Sequence, residues 1–301
     1  MSDPRNEEAP RCGYVAIVGR PNVGKSTLLN HLLGIKLSIT SRKPQTTRSR
    51  LLGIKTVNNS QIVFVDTPGF HTGFKKAINK QMNNAVAEAL QDVDLVVFMT
   101  DRLVLTEEDE LLLKKLSDPG VPVFLVINKV DVLGERDKLL PFSAMMSERF
   151  RFSEVVPVSA LKNVNTDELE QSIIKYLPEN PWLFPEDQLT DRNLRFLAAE
   201  FIREKITRQM GDELPYEVAV EIEEFMTEGP LTTISALILV EKNTQKQMII
   251  GEKGSRLKLI GTEARKDLER LLDTRVMLNL WVKVKQGWSD DLRALRSLGY
   301  E

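Results

Sequence analysis

Two short motifs carry the side chains with the most specific chemistry in this 301-residue chain. Residues 19–26 read Gly-Arg-Pro-Asn-Val-Gly-Lys-Ser, and residues 128–131 read Asn-Lys-Val-Asp. The glycines of the first motif allow a tight turn whose N–H groups cradle phosphates, and its lysine and serine suit phosphate oxygens and Mg²⁺. The aspartate of the second motif can accept hydrogen bonds from the N1–H and 2-amino groups of guanine. Together the two motifs predict a GTP site.

The carboxylate of Asp131 is the reason to expect GTP rather than ATP. Adenine has an acceptor at N1 and no 2-amino group, so the carboxylate would be buried beside it without a partner. An unpaired buried charge costs enough free energy to reject ATP strongly. We also expect Asn128 on the N7 side of the purine and the stem of Lys129 over its ring.

The two motifs need a scaffold, and short apolar runs predict one. Residues 15–18, 62–65, 123–127 and 155–158 each read as a buried strand, which is typical of a parallel sheet covered on both faces. A helix predicted at residues 27–33 would direct its positive N-terminal end at the phosphates. Ligands of such sheets bind beyond the carboxyl ends of the strands, where both motifs fall.

Two further loops follow predicted strands: residues 66–69 read Asp-Thr-Pro-Gly, and residues 159–161 read Ser-Ala-Leu. We expect Asp66 to hold Mg²⁺ through a water and the Gly69 N–H to meet the γ-phosphate. The Ala160 N–H is expected to donate to O6 of guanine. Both loops would therefore lie at the same edge of the sheet as the two motifs.

A basic, hydroxyl-rich segment at residues 38–50 lies between the first two nucleotide motifs and contains Thr46 and Thr47. This is the expected place for a switch loop whose threonine closes on Mg²⁺ when the γ-phosphate is present. An ordinary basic surface loop is the alternative.

The predicted nucleotide site draws on all of these loops. Three of its residues, Lys25, Thr47 and Gly69, are predicted to act in catalysis. Mg²⁺ is predicted to be held by Ser26, Thr47 and Asp66. The full GTP-binding set is Gly19, Arg20, Pro21, Asn22, Val23, Gly24, Lys25, Ser26, Thr27, Thr46, Thr47, Asp66, Thr67, Pro68, Gly69, Asn128, Lys129, Asp131, Ser159, Ala160 and Leu161.

One catalytic group is missing from this pattern. Ras-like enzymes orient the attacking water with a glutamine immediately after the Asp-x-x-Gly turn, and here that position is Phe70. A phenyl ring cannot accept or donate the hydrogen bond that the water needs. Hydrolysis is therefore predicted to be slow unless another group, a monovalent cation or a partner assists.

The composition of the chain excludes several other kinds of site and of targeting segment. The formal net charge is −2, and the chain holds one cysteine, Cys12, and two histidines, His31 and His71. These counts exclude a disulfide framework, a cysteine metal cluster and a site built on several histidines. Residues 1–11 lack the apolar core of a signal peptide, and the apolar runs are too short to cross a bilayer. We expect a cytoplasmic enzyme.

The second half of the chain predicts a separate unit. Apolar residues recur at helical spacing in residues 192–209 and 255–272. Alternation at residues 218–223 predicts a strand with one solvent-exposed face, and apolar runs at residues 234–240 and 276–284 predict two more strands. With a short helix and a turn before the second long helix, the order is helix, strand, strand, short helix, turn, helix, strand.

The turn at residues 251–254 reads Gly-Glu-Lys-Gly. In this order of elements it is typical of a type II KH fold, where two glycines let a nucleic-acid backbone approach. Residues 241–301 contain 13 Lys and Arg against 9 Asp and Glu, so this end is basic, although charge scatter on solvated faces is the alternative. The predicted RNA-binding residues are Ile250, Gly251, Glu252, Lys253, Gly254, Arg256 and Lys258.

The predicted fold class is α/β: a P-loop GTPase domain with a mixed, mostly parallel sheet, followed by a smaller α+β type II KH domain. The GTPase domain is predicted at residues 12–178 and the KH domain at residues 192–286. A Pro-rich linker at residues 179–191 joins them, and residues 287–301 form a C-terminal tail.

Five GTPase motifs joined to a KH domain resemble the bacterial Era family, over about residues 13–286. The motifs read Gly-Arg-Pro-Asn-Val-Gly-Lys-Ser, Gln-Thr-Thr-Arg, Asp-Thr-Pro-Gly-Phe, Asn-Lys-Val-Asp and Ser-Ala-Leu. The resemblance implies a GTPase with a hydrophobic residue in place of the catalytic glutamine, as at Phe70. It implies Mg²⁺ as cofactor and, from related GTPases, a K⁺ ion placed with the help of Asn22.

The resemblance also implies partners. These are GTP and GDP, small-subunit ribosomal RNA near its 3′ end, and the small ribosomal subunit. The protein is expected to be a monomer that assists maturation of the small subunit and couples it to growth and the cell cycle. Family members are described as partly associated with the inner face of the cell membrane. Two alternatives stay open: a GTPase switch whose second domain binds protein or a membrane surface, and a non-enzymatic RNA-binding factor that needs GTP only to hold its shape.

Overall fold

The chain divides into two compact units. The first unit contains residues up to Ser38 and most of the chain from Arg50 to Asp191, and the second contains Ile39–Ser49 and the chain from Arg192 onward. Residues 42–45 of the predicted switch loop and residues 289–301 of the predicted tail lie outside the described part. The computed structural model describes residues 9–41, 46–70, 85–101, 103, 105–116, 120–133, 136–210 and 218–288.

The first unit is built around a six-stranded sheet. Its strands are β1 (Arg11–Gly19), β2 (Leu51–Val57), β3 (Ser60–Asp66), β4 (Leu95–Thr100), β5 (Val123–Ile127) and β6 (Glu154–Pro157). They lie in the order β2-β3-β1-β4-β5-β6. β2 and β3 form an antiparallel hairpin, and the other neighbours are parallel. The prediction of a mixed, mostly parallel sheet is confirmed.

Helices cover this sheet and bury it on both faces. They are α1 (Lys25–Leu33), α2 (Glu107–Leu116), α3 (Leu139–Arg149) and α4 (Thr166–Tyr176). Phe98 of β4 and Leu125 of β5 share one core with Leu112 of α2 and Phe142 of α3. Burial on both faces explains why the strands read as unbroken apolar runs.

The predicted Pro-rich linker forms hydrogen bonds along β2 and β3 of the first unit. The Ile54 N–H donates to the carbonyl of Leu189 at 2.8 Å. The side-chain oxygen of Gln61 accepts from the N–H groups of Leu183 and Phe184 at 2.9 and 3.0 Å. The segment is therefore a fixed part of this unit as far as Asp191.

The second unit has the predicted order of elements and belongs to the KH type. The elements are α5 (Leu194–Gln209), β7 (Val218–Glu228), β8 (Leu231–Val240), α6 (Asn243–Ile250), α7 (Ser255–Leu272) and β9 (Arg275–Val284). In the sheet β7-β8-β9, β7 pairs antiparallel with β8, and β9 pairs parallel with it. The prediction of a C-terminal KH domain is confirmed.

In the described part of the second unit, the core lies between this sheet and the helices α5, α6 and α7. Ile206 of α5, Ile249 of α6 and Ile260 of α7 pack with Ile238 of β8. β7 continues well beyond the predicted strand, through a register shift between Ile222 and Glu224. Such a bulge bends the strand and increases its local twist. In the part of the chain that the structure describes, no helix is both long and apolar enough to span a membrane.

Candidate functional site

Four loops of the first unit meet at the carboxyl edge of its sheet. They follow β1, β3, β5 and β6, which are parallel strands. Bonds join the loops to one another: the Phe70 N–H donates to the Gly19 carbonyl at 3.3 Å, and the Val130 N–H donates to the Val158 carbonyl at 3.2 Å. The sheet therefore brings together motifs that lie far apart in sequence.

The loop at residues 19–26 needs glycine for its geometry. Gly24 has φ +107°, and a Cβ there would lie 2.2 Å from Nδ2 of Asn128. α1 begins at Lys25, directly after this turn. The Nζ of Lys25 donates to the carbonyls of Gly19 and Arg20 at 2.9 Å each. The lysine thus points back into a loop whose helix N-terminus favours anions.

Two charged groups are buried at the centre of this loop. Burial lowers the pKa of Lys25 to about 8, the nearby charge of Asp66 opposes that shift, and Arg20 adds to it. Burial raises the pKa of Asp66, against hydrogen bonds from Ser38 and Ser26 and the charge of Lys25. An added anion beside Lys25 would favour its protonated form, and an added cation beside Asp66 would favour the carboxylate.

The carboxylate of Asp66 has the chemistry of a metal ligand. Its Oδ2 accepts from the hydroxyls of Ser38 at 2.6 Å and Ser26 at 3.2 Å. Its Oδ1 is buried and finds no hydrogen-bond partner within the described part of the chain. A buried carboxylate oxygen with spare capacity beside a serine hydroxyl fits a hard cation such as Mg²⁺.

Protein carboxylates alone do not make this metal site. Across the described ranges, no group of three or more His, Cys, Asp and Glu residues is placed to hold a metal. The predicted ligands Ser26, Thr47 and Asp66 would leave coordination positions for the oxygens of a bound phosphate. This pattern is common where Mg²⁺ travels with a nucleotide.

The loop at residues 66–70 lies directly against the phosphate loop. The Thr67 hydroxyl donates to the Ile17 carbonyl at 2.9 Å. A Cβ on Gly69 would lie 2.8 Å from Cα of Pro21, so only glycine permits this approach. A contact of the Gly69 N–H with the γ-phosphate stays a prediction.

The base-recognition loops are joined to each other and to the phosphate loop by protein groups. Asn128 donates from Nδ2 to the Val23 carbonyl at 2.7 Å and accepts at Oδ1 from the Ala160 N–H at 3.0 Å. The Ser159 hydroxyl donates to Oδ1 of Asp131 at 2.5 Å. Asn128 therefore fixes the spacing between the loop at residues 19–26 and the loops after β5 and β6, and Ser159 orients the carboxylate of Asp131, the predicted reader of guanine.

The Gly-Glu-Lys-Gly turn joins α6 to α7 in the second unit. Gly251 has φ +71° and ψ −179°, Lys253 has φ +48° and Gly254 has φ +80°. A Cβ on Gly251 would lie 2.7 Å from Cβ of Arg256, whereas a Cβ on Gly254 would meet no described atom within 4 Å. Gly251 is thus needed for packing, and Gly254 leaves space for an incoming backbone.

The other predicted RNA-binding residues differ in role. Glu252, Lys253 and Lys258 are predicted contacts at the turn and the start of α7, and Glu252 and Lys253 are exposed. Ile250 packs against the core of the unit. Arg256 donates through Nη1 to the Met248 carbonyl at 2.7 Å, so its guanidinium ties the start of α7 to α6.

Comparison with known proteins matches both units. A family model described as "50S ribosome-binding GTPase" matches residues 14–129, and one described as "KH domain" matches residues 213–289. GTPase Era of Ectopseudomonas mendocina (strain ymp) is 59% identical over 290 residues, which cover 96% of this chain and 97% of the relative. GTPase Era of Marinobacter nauticus is 58% identical over 99% of this chain and 98% of the relative. The chain belongs to the Era family of GTPases.

Solved Era structures agree with this assignment. A tyrosine-to-alanine variant of Aquifex aeolicus Era bound to GDP·AlF4⁻ is 43% identical, with a TM-score of 0.92, covering 96% of this chain and 99% of that one. Era in complex with MgGDPNP and nucleotides 1506–1542 of 16S ribosomal RNA is also 43% identical, with a TM-score of 0.93, covering 97% and 99%. The present chain is a GTPase of the same fold.

Phe70 of this Era-family GTPase is a core residue. It is 6% exposed and packs in the main core of the first unit. The ammonium of Lys115 lies 4.8 Å from the centre of its ring, a cation–π contact. The side chain at the position of the Ras-like glutamine therefore stabilises the fold and carries no group for water.

The predicted switch segment contacts α5 in the second unit. Ile39 is 2% exposed and packs with Phe201 of α5. The Thr40 N–H donates to the fully buried carboxylate of Glu204 at 2.8 Å. Arg203 donates to the Thr46 carbonyl at 2.5 Å. The segment that carries Thr46 and Thr47 is thus a structural part of the second unit.

Sequence reasoning missed three polar residues of functional interest. Ser38 begins the predicted switch segment, but its bond to Asp66 was not predicted, and Glu204, which bonds to Thr40, lies in no recognised motif. Asp101 accepts from Lys129 at 2.6 Å. Asp101 could have been predicted from the sequence, because it directly follows β4. The carboxyl end of β4 lies at the same edge of the sheet as the nucleotide loops.

Proposed function

We propose that this GTPase uses Mg²⁺ with its nucleotide and that its KH unit binds small-subunit ribosomal RNA near the 3′ end. In this proposal the protein assists maturation of the small subunit and couples it to growth and the cell cycle. The supporting observation is the combination of two sites in one chain: nucleotide loops joined at a sheet edge, and a glycine turn with an open approach at Gly254. The Era complex with MgGDPNP and a 16S fragment is the supporting precedent.

Phosphate binding is assigned to residues 19–26. Lys25 would turn from the carbonyls that it contacts to the β- and γ-phosphates, which supply the anion that a buried ammonium requires. Ser26 would ligate Mg²⁺ directly, and Asp66 would hold it through a water. When bound, Mg²⁺ neutralises developing charge on the phosphate oxygens.

The predicted switch segment at residues 38–50, of which Ile39–Ser49 belongs to the second unit, is proposed to respond to the γ-phosphate. In this proposal the bonds that the segment makes with α5, including Thr40 with Glu204, are exchanged for a bond between Thr47 and Mg²⁺. A carboxylate–amide bond of this kind contributes about 1.5–3 kcal/mol at most, which a metal ligand can offset.

A monovalent cation is proposed to replace the missing glutamine. Phe70 cannot orient water, and related GTPases place K⁺ through the asparagine at the position of Asn22. That residue has φ +65°, which turns its backbone out of the usual region. Turnover should be faster in KCl than in NaCl at equal ionic strength, and equal rates in the two salts would rule out this role.

The RNA proposal is tested most sharply at Gly254. At φ +80°, Asp and Asn are tolerated better than most residues, and their side chains would extend into open space. The two variants have nearly the same shape, but only Asp repels phosphate. Fluorescence anisotropy with the 3′ segment of 16S RNA should show weaker binding for Gly254→Asp than for Gly254→Asn, by about tenfold at low salt.

Two controls accompany this measurement. GTP affinity should be unchanged in both variants, because Gly254 lies in the second unit. Lys253→Ala should weaken RNA binding and reduce its salt dependence. Equal RNA affinity for the Asp, Asn and parent proteins would assign the second unit to another partner, such as a protein or a membrane surface. Crosslinking in cells with RNA sequencing should map the protein to small-subunit RNA, and a map without ribosomal RNA would refute the proposal.

A further inference from the structure

Asp101 lies between the two loops that recognise the nucleotide. It directly follows β4, which is hydrogen-bonded to β1 on one side and β5 on the other. The phosphate loop follows β1, and the base motif follows β5. A side chain at the carboxyl end of β4 can therefore reach both loops, and the carboxylate of Asp101 is only 15% exposed there.

Each oxygen of this carboxylate contacts a different loop. Oδ2 accepts from Nζ of Lys129, in the base motif, at 2.6 Å. Oδ1 accepts from Nη2 of Arg20, in the phosphate loop, at 3.4 Å. Both contacts are charge-assisted, and the shorter one, to Lys129, is the stronger. Asp101 therefore connects the base loop to the phosphate loop.

Arg20 is held in place by a second carboxylate. Its Nε donates to Oδ1 of Asp109 at 2.7 Å, and the Asp109 side chain is 1% exposed. Oδ2 of Asp109 accepts from the N–H and hydroxyl of Thr106 at 3.1 and 2.7 Å, which caps the start of α2. Arg20 is thus fixed to α2, so the Asp101 carboxylate meets a positioned guanidinium.

Lys129 carries the connection on into the phosphate loop. Besides Asp101, its Nζ donates to the Asn22 carbonyl at 2.7 Å. Asn22 and Lys129 both have left-handed backbones, with φ +65° and +64°. A bond at Asn22 therefore supports a strained turn whose amides are to face phosphate. The lysine stem is also the group expected to cover the guanine ring.

We propose that Asp101 is a positioning residue for guanine-nucleotide binding, acting through Lys129. The Lys129 side chain is 39% exposed, so without a carboxylate its ammonium can move into solvent and sample several rotamers. Binding would then have to order the side chain, which weakens affinity. Because the contact involves neither the γ-phosphate nor the metal, GTP and GDP should be affected alike.

The test compares Asp101→Asn with Asp101→Glu in the full-length protein. Asp101→Asn keeps the shape but loses the charge, and we expect the Kd for GDP and the KM for GTP each to rise about tenfold, with kcat changing less than about twofold. Asp101→Glu keeps the charge and should stay within about threefold of the parent. Asp94→Asn, at the opposite end of β4, is the control and should bind nucleotide like the parent.

A double-mutant cycle separates positioning from general stabilisation. If Asp101 acts through Lys129, adding Asp101→Asn to Lys129→Met should cause no further loss of GDP affinity. Additive losses in the double variant would overturn the proposal. It would also be overturned by a parent-like Kd in Asp101→Asn, by a loss confined to kcat, or by an Asp101→Glu variant as weak as Asp101→Asn.

Discussion

The nucleotide loops and the segment Ile39–Ser49 are both polar, and both were predicted from sequence motifs, but they form hydrogen bonds with different parts of the structure. The loops bond to one another within the first unit, as Asn128 does to Val23 and Lys129 to Asn22. The switch segment bonds to α5 of the second unit, where the Thr40 N–H meets Glu204. The loops predicted to recognise base and phosphate are therefore preorganised, whereas the segment that we propose closes on the metal is bonded to α5 instead.

This difference has a physical consequence for binding. A preorganised loop loses little conformational freedom when its ligand arrives, so contacts in the nucleotide loops contribute nearly fully to affinity. A segment that is already hydrogen-bonded elsewhere must first break those bonds, which lowers its contribution to nucleotide affinity. The same competition lets its conformation change with the nucleotide that is bound. Affinity for both GTP and GDP should therefore depend on the nucleotide loops, and discrimination between the two nucleotides should depend on the switch segment.

The largest expected effect is on the preorganised side, at Asp131. Asp131→Asn removes the acceptor for the guanine N1–H and 2-amino groups but keeps the hydrogen bond from Ser159. GTP affinity should fall by at least about 100-fold, while xanthosine triphosphate, whose 2-oxo group suits an amide donor, should bind better than GTP. Titration of both nucleotides checks this, and an unchanged preference for GTP would show that another group reads the base.

A smaller effect is expected from the protonation of Lys25. Burial lowers its pKa to about 8, and bound phosphate should raise it again. Between these two values, binding requires uptake of a proton, so affinity falls as pH rises. GDP affinity should therefore drop about tenfold from pH 7 to pH 9.

Lys25→Arg is the matched control, because a guanidinium does not deprotonate in this range. Its GDP affinity, although lower overall, should lose the part of the pH dependence that belongs to Lys25. Identical pH profiles for the parent and Lys25→Arg would assign the pH dependence to another group.

The smallest effect is on the switch segment, at Glu204. Glu204→Gln weakens a buried acceptor shared by Thr40, Arg208 and Lys205. A loss of about 1 kcal/mol should raise hydrogen exchange at the Thr40 amide about fivefold. Glu263→Gln, whose carboxylate contacts Gln209 in the same unit, should leave that exchange unchanged. Equal exchange in all three proteins would mean that Glu204 does not hold the segment.

Sequence alone predicted the preorganised part well, for a physical reason. Glycine, lysine and aspartate at residues 19–26 and 128–131 have few substitutes for holding phosphate and guanine, and the strands before them are continuous apolar runs. The predicted strand at residues 123–127 and the predicted helix at residues 255–272 match the observed bounds. The order of elements in the KH domain could also be predicted, because the turn at residues 251–254 has positive φ angles that favour its two glycines.

Sequence did not predict the contacts that depend on tertiary packing. Glu204 is one of several charged residues along α5, and nothing in its spacing indicates full burial against Thr40. Asp101 and Asp109 look like ordinary surface acids until β4 and α2 are placed beside the phosphate loop. The bond between Arg203 and the Thr46 carbonyl likewise requires the folded second unit.

The central claim is that the nucleotide loops are preformed while the switch segment exchanges partners when the γ-phosphate and Mg²⁺ arrive. Hydrogen exchange at individual amides, measured with Mg²⁺ and either GDP or a non-hydrolysable GTP analogue, tests it most directly. Between the two states, exchange at the Thr40 amide should rise with the GTP analogue, and exchange at the Ala160 amide should stay the same. A Thr40 amide equally protected in both states, or an Ala160 amide that becomes protected only with the GTP analogue, would contradict the account.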